Sequence, residues 1–128
     1  MRCNEKGKCV FDDVVNEFVE KAKDADGLIF GTPVHYSGAT GNMTSFMDRA
    51  FYSASHGGHT DYFAYKPVAT VISARRAGTT ATYDQLNKYF GITQMPIISS
   101  RYWNMVHGYS PEDVRKDKEG MQIMRILG

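Results

Sequence analysis

The chain has 128 residues, of which 42% are hydrophobic and 23% charged, a composition typical of a single globular domain over residues 1–128. The net charge is +1, so no strong overall field favours binding to nucleic acid or to anionic membranes. No apolar run approaches the about 20 residues that a membrane-spanning helix needs, and the N-terminus lacks a signal-peptide apolar region. We therefore expect a cytoplasmic protein without membrane or nucleic-acid partners.

The N-terminal segment carries the two cysteines of the chain, Cys3 and Cys9, which are too few for a secreted disulfide framework. We predict a polar loop between them. Asp12 and Asp13 follow as candidate N-caps, and apolar residues then recur at helical spacing. The pattern predicts a helix over about 13–25.

A short apolar run, Leu28 to Phe30, predicts a buried strand, and a loop that contains glycine, proline, an imidazole and a phenol follows it. Apolar residues at helical spacing from Met43 to Phe51 then predict a helix. Ligands of open α/β sheets bind in loops at the carboxyl ends of the strands. The loop between this strand and this helix is therefore the first candidate functional element.

Strands and helices also alternate in the second half of the chain, which predicts a parallel sheet with right-handed crossovers. Only about three strands can be identified, although parallel strands are normally flanked and buried on both faces. Part of the expected sheet therefore lacks a counterpart in this sequence. The segments predicted are a strand at 68–73, a loop at 75–80, a helix at about 80–90, a strand at 95–100, an aromatic and polar loop at 101–109, and a helix from Ser110 towards Leu127.

Several motifs in a fixed order give the chain a family resemblance over essentially its whole length. The sequence resembles the NADPH-dependent FMN reductase family of flavodoxin-like proteins. The motifs that carry the resemblance are Gly31-Thr32-Pro33-Val34-His35-Tyr36, Asp48-Arg49, Gly7-Lys8-Cys9, the stretch Ser73-Ala74-Arg75-Arg76-Ala77-Gly78-Thr79-Thr80, Gln94-Met95-Pro96, and Trp103-Asn104-Met105-Val106-His107-Gly108.

The resemblance implies a flavodoxin-like three-layer α/β/α fold, in which the family has five parallel strands. Against that pattern the chain begins after the second strand of the family. The first strand and the Gly/Ser/Thr-rich loop that wraps the FMN phosphate with backbone N–H groups have no counterpart. We therefore expect the half of a flavin site that faces the isoalloxazine ring, without its phosphate-binding half.

The resemblance also implies which residues line the flavin. These residues fall in two stretches, 32–37 and 74–78. The alternatives without a functional role are a plain strand-to-helix turn for the first stretch and two solvated arginines for the second. If the second stretch is functional, Gly78 allows close backbone approach, and Arg75 or Arg76 holds a nucleotide phosphate or the negatively charged reduced flavin. The candidate cofactor-binding residues are Thr32, Pro33, Val34, His35, Tyr36, Ser37, Ala74, Arg75, Arg76 and Gly78.

A third stretch, with Trp103, Asn104, His107 and Gly108, borders the mouth of the site by family likeness. A core or interface anchor is the alternative for Trp103. Hydride transfer between nicotinamide and flavin needs no protein acid or base at the transferring atom, so we assign no catalytic residue. The three loop tips, around Val34, Arg75 and Trp103, are expected to lie together at the carboxyl ends of the strands. We call this edge of the sheet the rim.

We assign no metal site. In the iron–sulfur flavoproteins of this superfamily a compact cysteine cluster binds a [4Fe–4S] centre, which needs four thiolates, whereas this sequence has Cys3 and Cys9 alone. Free thiols are the simplest interpretation, and zinc shared with His56 or His59 is an alternative.

Two functions remain open. The first is a flavin-dependent oxidoreductase that transfers hydride from NADPH or NADH via FMN to a small acceptor such as a quinone, a free flavin or an azo dye. The second is a non-catalytic, truncated flavodoxin-like domain that binds FMN weakly or not at all. Because the first strand would lack its neighbour, we expect a homo-oligomer formed at that edge of the sheet.

Overall fold

The computed structural model describes residues 2–128. A short 3₁₀ turn at Thr60–Tyr62 accompanies the regular elements. Within residues 2–128, no helix has both the length and the apolar character needed to cross a membrane. The helices are α1 (Arg2–Lys6), α2 (Val14–Asp24), α3 (Gly41–His56), α4 (Thr79–Ile92), α5 (Pro111–Lys116) and α6 (Lys118–Leu127), and the strands are β1 (Leu28–His35), β2 (Gly38–Ala39), β3 (Val68–Ala74) and β4 (Met105–His107).

The four strands form one sheet in the order β2-β1-β3-β4. Strands β1, β3 and β4 are parallel, with Leu28 paired to Val68 and Ile72 to Met105. The two-residue strand β2 pairs antiparallel with the end of β1. The expectation of an α/β fold around three parallel strands is confirmed.

Strand β1 is longer than predicted and is buried on one face only. It continues to His35, so the first half of the predicted loop is strand. Phe30 and Thr32 are buried, whereas Ile29 on the opposite face is 69% exposed. The prediction of a buried strand was wrong, because the face of β1 that carries Ile29 is exposed and, among residues 2–128, only β3 pairs with β1 along most of its length.

The main core lies between the sheet and helices α2, α3 and α4. Phe30 of β1 contacts Phe18, Phe51 and Phe90, with ring centroids 5.3–6.0 Å apart. Helix α6 lies on the other side of the sheet, where Leu127 and Ala69 line a common cavity. In the main core, the ring contacts of Phe30 contribute about 0.5–1.5 kcal/mol each beyond the burial of their area. The sheet therefore has helices on both sides, but its second face is covered only in part.

The third parallel strand is not where the sequence predicted it. Of the segment 95–100, Ile97 makes a single bridge to Val68, and the strand that continues the sheet is β4. The intervening chain is held by Asn104, which is completely buried and whose side chain accepts from Ser100 N and donates to Ile98 O. The hydrophobic pattern could not predict this irregular segment, because backbone groups of Ile98 and Ser100 are hydrogen-bonded to the buried Asn104 side chain instead of to a neighbouring strand.

Two further boundaries differ from the predictions. Part of the predicted loop between Cys3 and Cys9 is helix α1, which ends at Lys6 and is followed by Gly7 with φ +66°. The single C-terminal helix is two helices, because the Asp117 side chain caps a new helix by accepting from Gly120 N. The predicted cap at Asp13 is confirmed, since its carboxylate accepts from Val15 N at the start of α2.

Candidate functional site

The end of β1 turns back on itself in a two-residue hairpin. His35 pairs with Gly38, and the residues between them, Tyr36 and Ser37, have φ of +50° and +60°. Two consecutive positive φ values are the signature of a type I′ turn, which normally uses Asn or Gly because other residues are strained there. Tyr36 is fully exposed at the tip. The turn thus presents an aromatic side chain at the carboxyl end of the sheet at a conformational cost.

The six candidate residues of this first stretch point in different directions. Thr32 is buried, and its hydroxyl accepts from Thr40 N and donates to Pro33 O, so it has an internal role. Val34 packs towards Ile72 and Tyr83 in the core. Pro33 and His35 lie on the exposed outer face of β1. Of the six, Tyr36 and Ser37 form the tip of the rim.

Gly78, at the start of α4, contacts the hairpin closely. Its φ is +98°, and a Cβ at this position would lie 2.7 Å from Ser37 Cα and 2.9 Å from Val34 Cγ1. Only glycine fits both this backbone conformation and this approach without a shift of the backbone. The structure therefore brings the first and second candidate stretches into direct contact.

A residue that sequence reasoning missed also holds the hairpin in place. Gln85 of α4 accepts a hydrogen bond from Ala39 N at 3.0 Å. A Cβ on Gly38 would lie 3.2 Å from the same side-chain oxygen. No local signal marks Gln85, because a glutamine on a helix is ordinary and its partner is 46 residues away. Helix α4 and its N-cap thus fix the hairpin, through Gln85 and Gly78 respectively.

The chain after β3 forms an exposed, donor-rich turn. Ala74 is buried, whereas Arg75, Arg76 and Ala77 are exposed. Their three backbone N–H groups donate to no acceptor within residues 2–128. The Arg75 guanidinium carbon lies 5.1 Å from the centroid of the Tyr109 ring, a cation–π geometry. This turn offers unpaired donors and positive charge directly before α4.

The end of β4 completes the rim. Gly108 N donates to Ala74 O at 3.0 Å, which joins the ends of β3 and β4. Asp117 fixes this corner, because one carboxylate oxygen accepts from His107 N at 2.8 Å while the other accepts from Gly120 N. The third element of the rim is therefore the segment from His107 to Tyr109.

The structure places Trp103 and Asn104 elsewhere. They precede β4, and since Met105 pairs with Ile72, Trp103 lies level with the middle of the sheet rather than at its carboxyl end. Trp103 is 45% exposed, and its ring is 4.9 Å from that of Tyr102. The prediction that Trp103 forms a rim tip was wrong because the strand starts later than its hydrophobic pattern indicated. Tyr109 occupies the corresponding place on the rim.

The donor set at this rim fits the ring half of a flavin. The polar edge of the flavin ring gains negative charge on reduction, and backbone N–H groups and cations stabilise that charge. The turn from Arg75 to Ala77 supplies such groups next to the ring of Tyr109, and the following Gly78 contacts Ser37 of the hairpin.

The cysteines lie away from this rim, beside the C-terminal half of α3. Cys9 is 92% buried, and its thiol accepts a hydrogen bond from Arg49 Nη2 at 3.4 Å. Arg49 also pairs with Asp13 at 2.8 Å, and it holds the pKa of that carboxyl below its usual range. Within residues 2–128 no group of three or more His, Cys, Asp or Glu side chains could hold a metal ion.

The other member of the Asp-Arg motif, Asp48, faces α4. The Tyr89 hydroxyl donates a hydrogen bond to Asp48 Oδ1. Burial, together with this negatively charged acceptor, raises the pKa of Tyr89 to about 12. The motif therefore joins α3 to α2 through Arg49 and to α4 through Asp48, which is a structural role in this chain.

Known proteins are similar to this chain in sequence and in fold. The NADPH-dependent FMN reductase family model matches residues 1–110. An iron–sulfur flavoprotein of Methanocaldococcus jannaschii is 30% identical over 98% of this chain and 67% of its own length. The Trp repressor binding protein from Bacillus subtilis has a similar structure with a TM-score of 0.76 at 18% identity, and the match covers 92% of this chain and 73% of that one.

A flavodoxin from the domain Archaea superimposes with a TM-score of 0.54 at 17% identity, and the match covers 85% of this chain and 70% of that structure. The chain spans about two-thirds of the length of the curated relatives it matches. At family level, the expectation of FMN as cofactor with a nicotinamide nucleotide as co-substrate is confirmed. The chain belongs to the NADPH-dependent FMN reductase family and has a flavodoxin-like fold.

Proposed function

We propose that residues 1–128 form one flavodoxin-like domain that binds the ring of FMN and transfers a hydride from NADPH or NADH via FMN to a small acceptor. The observation that carries the proposal is the meeting of three strand ends at one rim. There the Tyr36–Ser37 turn contacts Gly78, and Gly108 bonds to Ala74. A quinone, a free flavin and an azo dye remain the acceptor classes considered.

The residues of the rim have distinct proposed roles. The N–H groups of Arg75, Arg76 and Ala77 would face the polar edge of the ring, and Gly78 keeps the hairpin close enough to form the opposite wall. The side chain of Tyr36 would cover one ring face. Bound FMN would supply the redox chemistry itself, and the protein would orient it and stabilise its reduced charge. We assign no catalytic residue, because this transfer needs no protein acid or base.

A second proposal concerns self-association of the chain and rests on a separate observation, the exposure of β1. Ile29 is 69% exposed, and the outer edge of β1 has no strand partner among residues 2–128 before β2 begins. An open strand edge of this kind templates further pairing. We propose that a second copy of the chain covers it, whether or not FMN is retained. A monomeric mass in solution at micromolar concentration would contradict this proposal. We also propose a cytoplasmic location.

The relative from Methanocaldococcus jannaschii is named an iron–sulfur flavoprotein. A [4Fe–4S] cluster needs four thiolate ligands, and this sequence supplies Cys3 and Cys9. The residues present do not fit such a cluster, so no role in the proposed reaction is assigned to one.

The direct experiment is ultrafiltration of the purified chain with added FMN, followed by an assay of NADPH and NADH oxidation. We expect FMN absorbance in the retained fraction and flavin-dependent oxidation. If all the FMN passes through the filter and neither nucleotide is oxidised, the proposal fails for this chain.

A pair of glycine variants, one just before α4 and one within it, makes the test specific to the rim. In Gly78→Ala the new Cβ meets Ser37 Cα and the backbone must leave φ +98°, so we expect FMN affinity to fall by about tenfold or more. Gly91→Ala is the matched control, because a Cβ there meets nothing within 4 Å. Equal FMN affinity in the two folded variants would place the ligand somewhere other than this rim.

A further inference from the structure

The rim carries the positive charge of two arginines that are not paired with an acidic side chain of residues 2–128. Arg75 and Arg76 are both exposed, and neither forms an ion pair with any residue in 2–128. The acids that follow β4 are engaged elsewhere. Glu112 lies 3.5 Å from Arg115, and Asp113 lies 3.3 Å from Lys116. Two neighbouring arginines without counter-charges favour an anion at this place.

The same surface is aromatic. Tyr109 is 80% exposed, and its ring lies beneath the Arg75 guanidinium, with the ring centroid 5.1 Å from the guanidinium carbon. This contact restricts the directions that the guanidinium can take without neutralising its charge. The fully exposed ring of Tyr36 belongs to the same rim, because the adjacent Ser37 contacts Gly78. The surface therefore combines flat apolar area with oriented positive charge, which suits a planar molecule bearing an anionic group.

We propose that this rim selects planar acceptors that carry an anionic substituent, namely aromatic sulfonates and carboxylates, over neutral acceptors of the same shape. The inference rests on the proposed flavin site and names the acceptor class for it. For a quinone of this class the balance is simple. The quinone receives a hydride equivalent from the reduced cofactor and a proton from water and becomes the hydroquinone, while oxidation of the nicotinamide nucleotide restores the reduced cofactor.

The first arm of the test measures binding without any reaction. Naphthalene-2-sulfonate and 2-naphthalenemethanol are titrated into the chain in excess FMN, with amide NMR shifts of residues 75–78 and 107–109 as the signal. We expect the sulfonate to bind about three- to tenfold more tightly than the alcohol at low salt, and the difference to shrink at 1 M salt, where the screening length falls to about 3 Å.

Variants assign the preference to the rim. Arg75→Ala and Arg76→Ala should each reduce the sulfonate-to-alcohol affinity ratio, and Arg75→Lys should restore part of it by returning the charge without the planar stacking surface. Arg125→Ala is the matched control for net charge, since it lies on α6 near Leu127, which lines a cavity at the opposite ends of β1 and β3. Equal affinities in the unaltered chain, or the same loss in Arg125→Ala as in Arg75→Ala, would overturn the inference.

The second arm measures the acceptor half-reaction. The FMN-loaded chain is reduced by light with EDTA as the sacrificial electron donor and is then mixed with naphthoquinone or its sulfonated derivative. The ratio of the two reoxidation rates is compared between the unaltered chain and the variants. Because the ratio of the two rates is compared between proteins, the different reduction potentials of the two quinones affect every protein equally. A general decrease in flavin reactivity in a variant lowers both of its rates and leaves its ratio unchanged. If FMN is not retained, the proposed function fails while the binding arm still decides the anion preference. If FMN is retained and Arg75→Ala leaves the ratio unchanged, the preference is wrong.

Discussion

Strands β1 and β3 lie side by side in register, but their surroundings differ. Along β3 both faces are covered, and Val68, Ala69, Thr70 and Ile72 are buried. Along β1 only alternate residues are buried, and Ile29 projects into solvent. Each strand nevertheless ends in a turn that belongs to the same rim. The turn after β3 follows a strand that is covered on both faces, whereas the turn after β1 is held by Gly78, the N-cap of α4, and by Gln85 within α4.

The largest expected effect is the difference between two isoleucines on these neighbouring strands. Ile72 of β3 is completely buried, so Ile72→Ala should cost about 2–5 kcal/mol of unfolding free energy. The same change at Ile29 of β1 should cost less than about 0.5 kcal/mol in the monomer, because the side chain is 69% exposed. Urea denaturation monitored by circular dichroism measures both.

Measurements at several protein concentrations show whether Ile29 is covered by association of two copies or is buried within a single copy. If a second copy covers β1, the loss in Ile29→Ala should grow as the chain is concentrated, because association then contributes to stability. Equal losses in the two variants at every concentration would show that β1 is buried as completely as β3 in the folded protein.

A smaller effect is expected from the side chain that holds the β1 turn. Gln85→Ala removes the acceptor for Ala39 N, which should cost about 1 kcal/mol of stability. FMN affinity should fall by a few-fold, because the hairpin is no longer fixed. Gln85→Glu keeps an acceptor oxygen at the same place and should retain most of the affinity. Lys88→Ala, an exposed change on the same helix, serves as the control, and an equal loss in this variant would argue against a positioning role for Gln85.

The smallest effect concerns the helix that precedes β1. Arg49 donates a hydrogen bond to the Asp13 carboxylate and lowers its pKa, so this pair stabilises the fold above the unfolded-state pKa of about 4. The contribution is lost as the pH falls through the lower, folded-state pKa. Asp13→Asn keeps a good helix cap and removes the charge. We therefore expect a slightly lower melting temperature than in the unaltered chain at pH 7.

Because the ionised carboxylate is the source of that difference, the two melting temperatures should converge as the pH is lowered below 4. A difference that stays constant down to pH 2 would mean that the cap of α2, rather than the Arg49 ion pair, is what the variant alters.

Local patterns predicted much of the architecture. The helix that begins after Asp13, the strand at Val68, and the helix start at Ser110–Pro111 follow from capping residues and apolar spacing, which act over a few residues. The third strand could not be located in this way, because the chain between Ile97 and Met105 is organised by the buried amide of Asn104. The exposure of Ile29 was also hidden, since an apolar run looks the same in a central strand and in an edge strand.

In the candidate site too, some features could be predicted from local sequence and others could not. By itself, the sequence determined the alternation of strands and helices, the family, and the two stretches around Tyr36 and Arg75, because these depend on residue types and short spacings. Only the tertiary structure decided that Gly78 contacts Ser37, that Gln85 holds Ala39, and that Tyr109 rather than Trp103 stands beside Arg75. These pairings join residues that are 34–46 positions apart in the chain, and their geometry is set by strand register and helix packing, which no local propensity encodes.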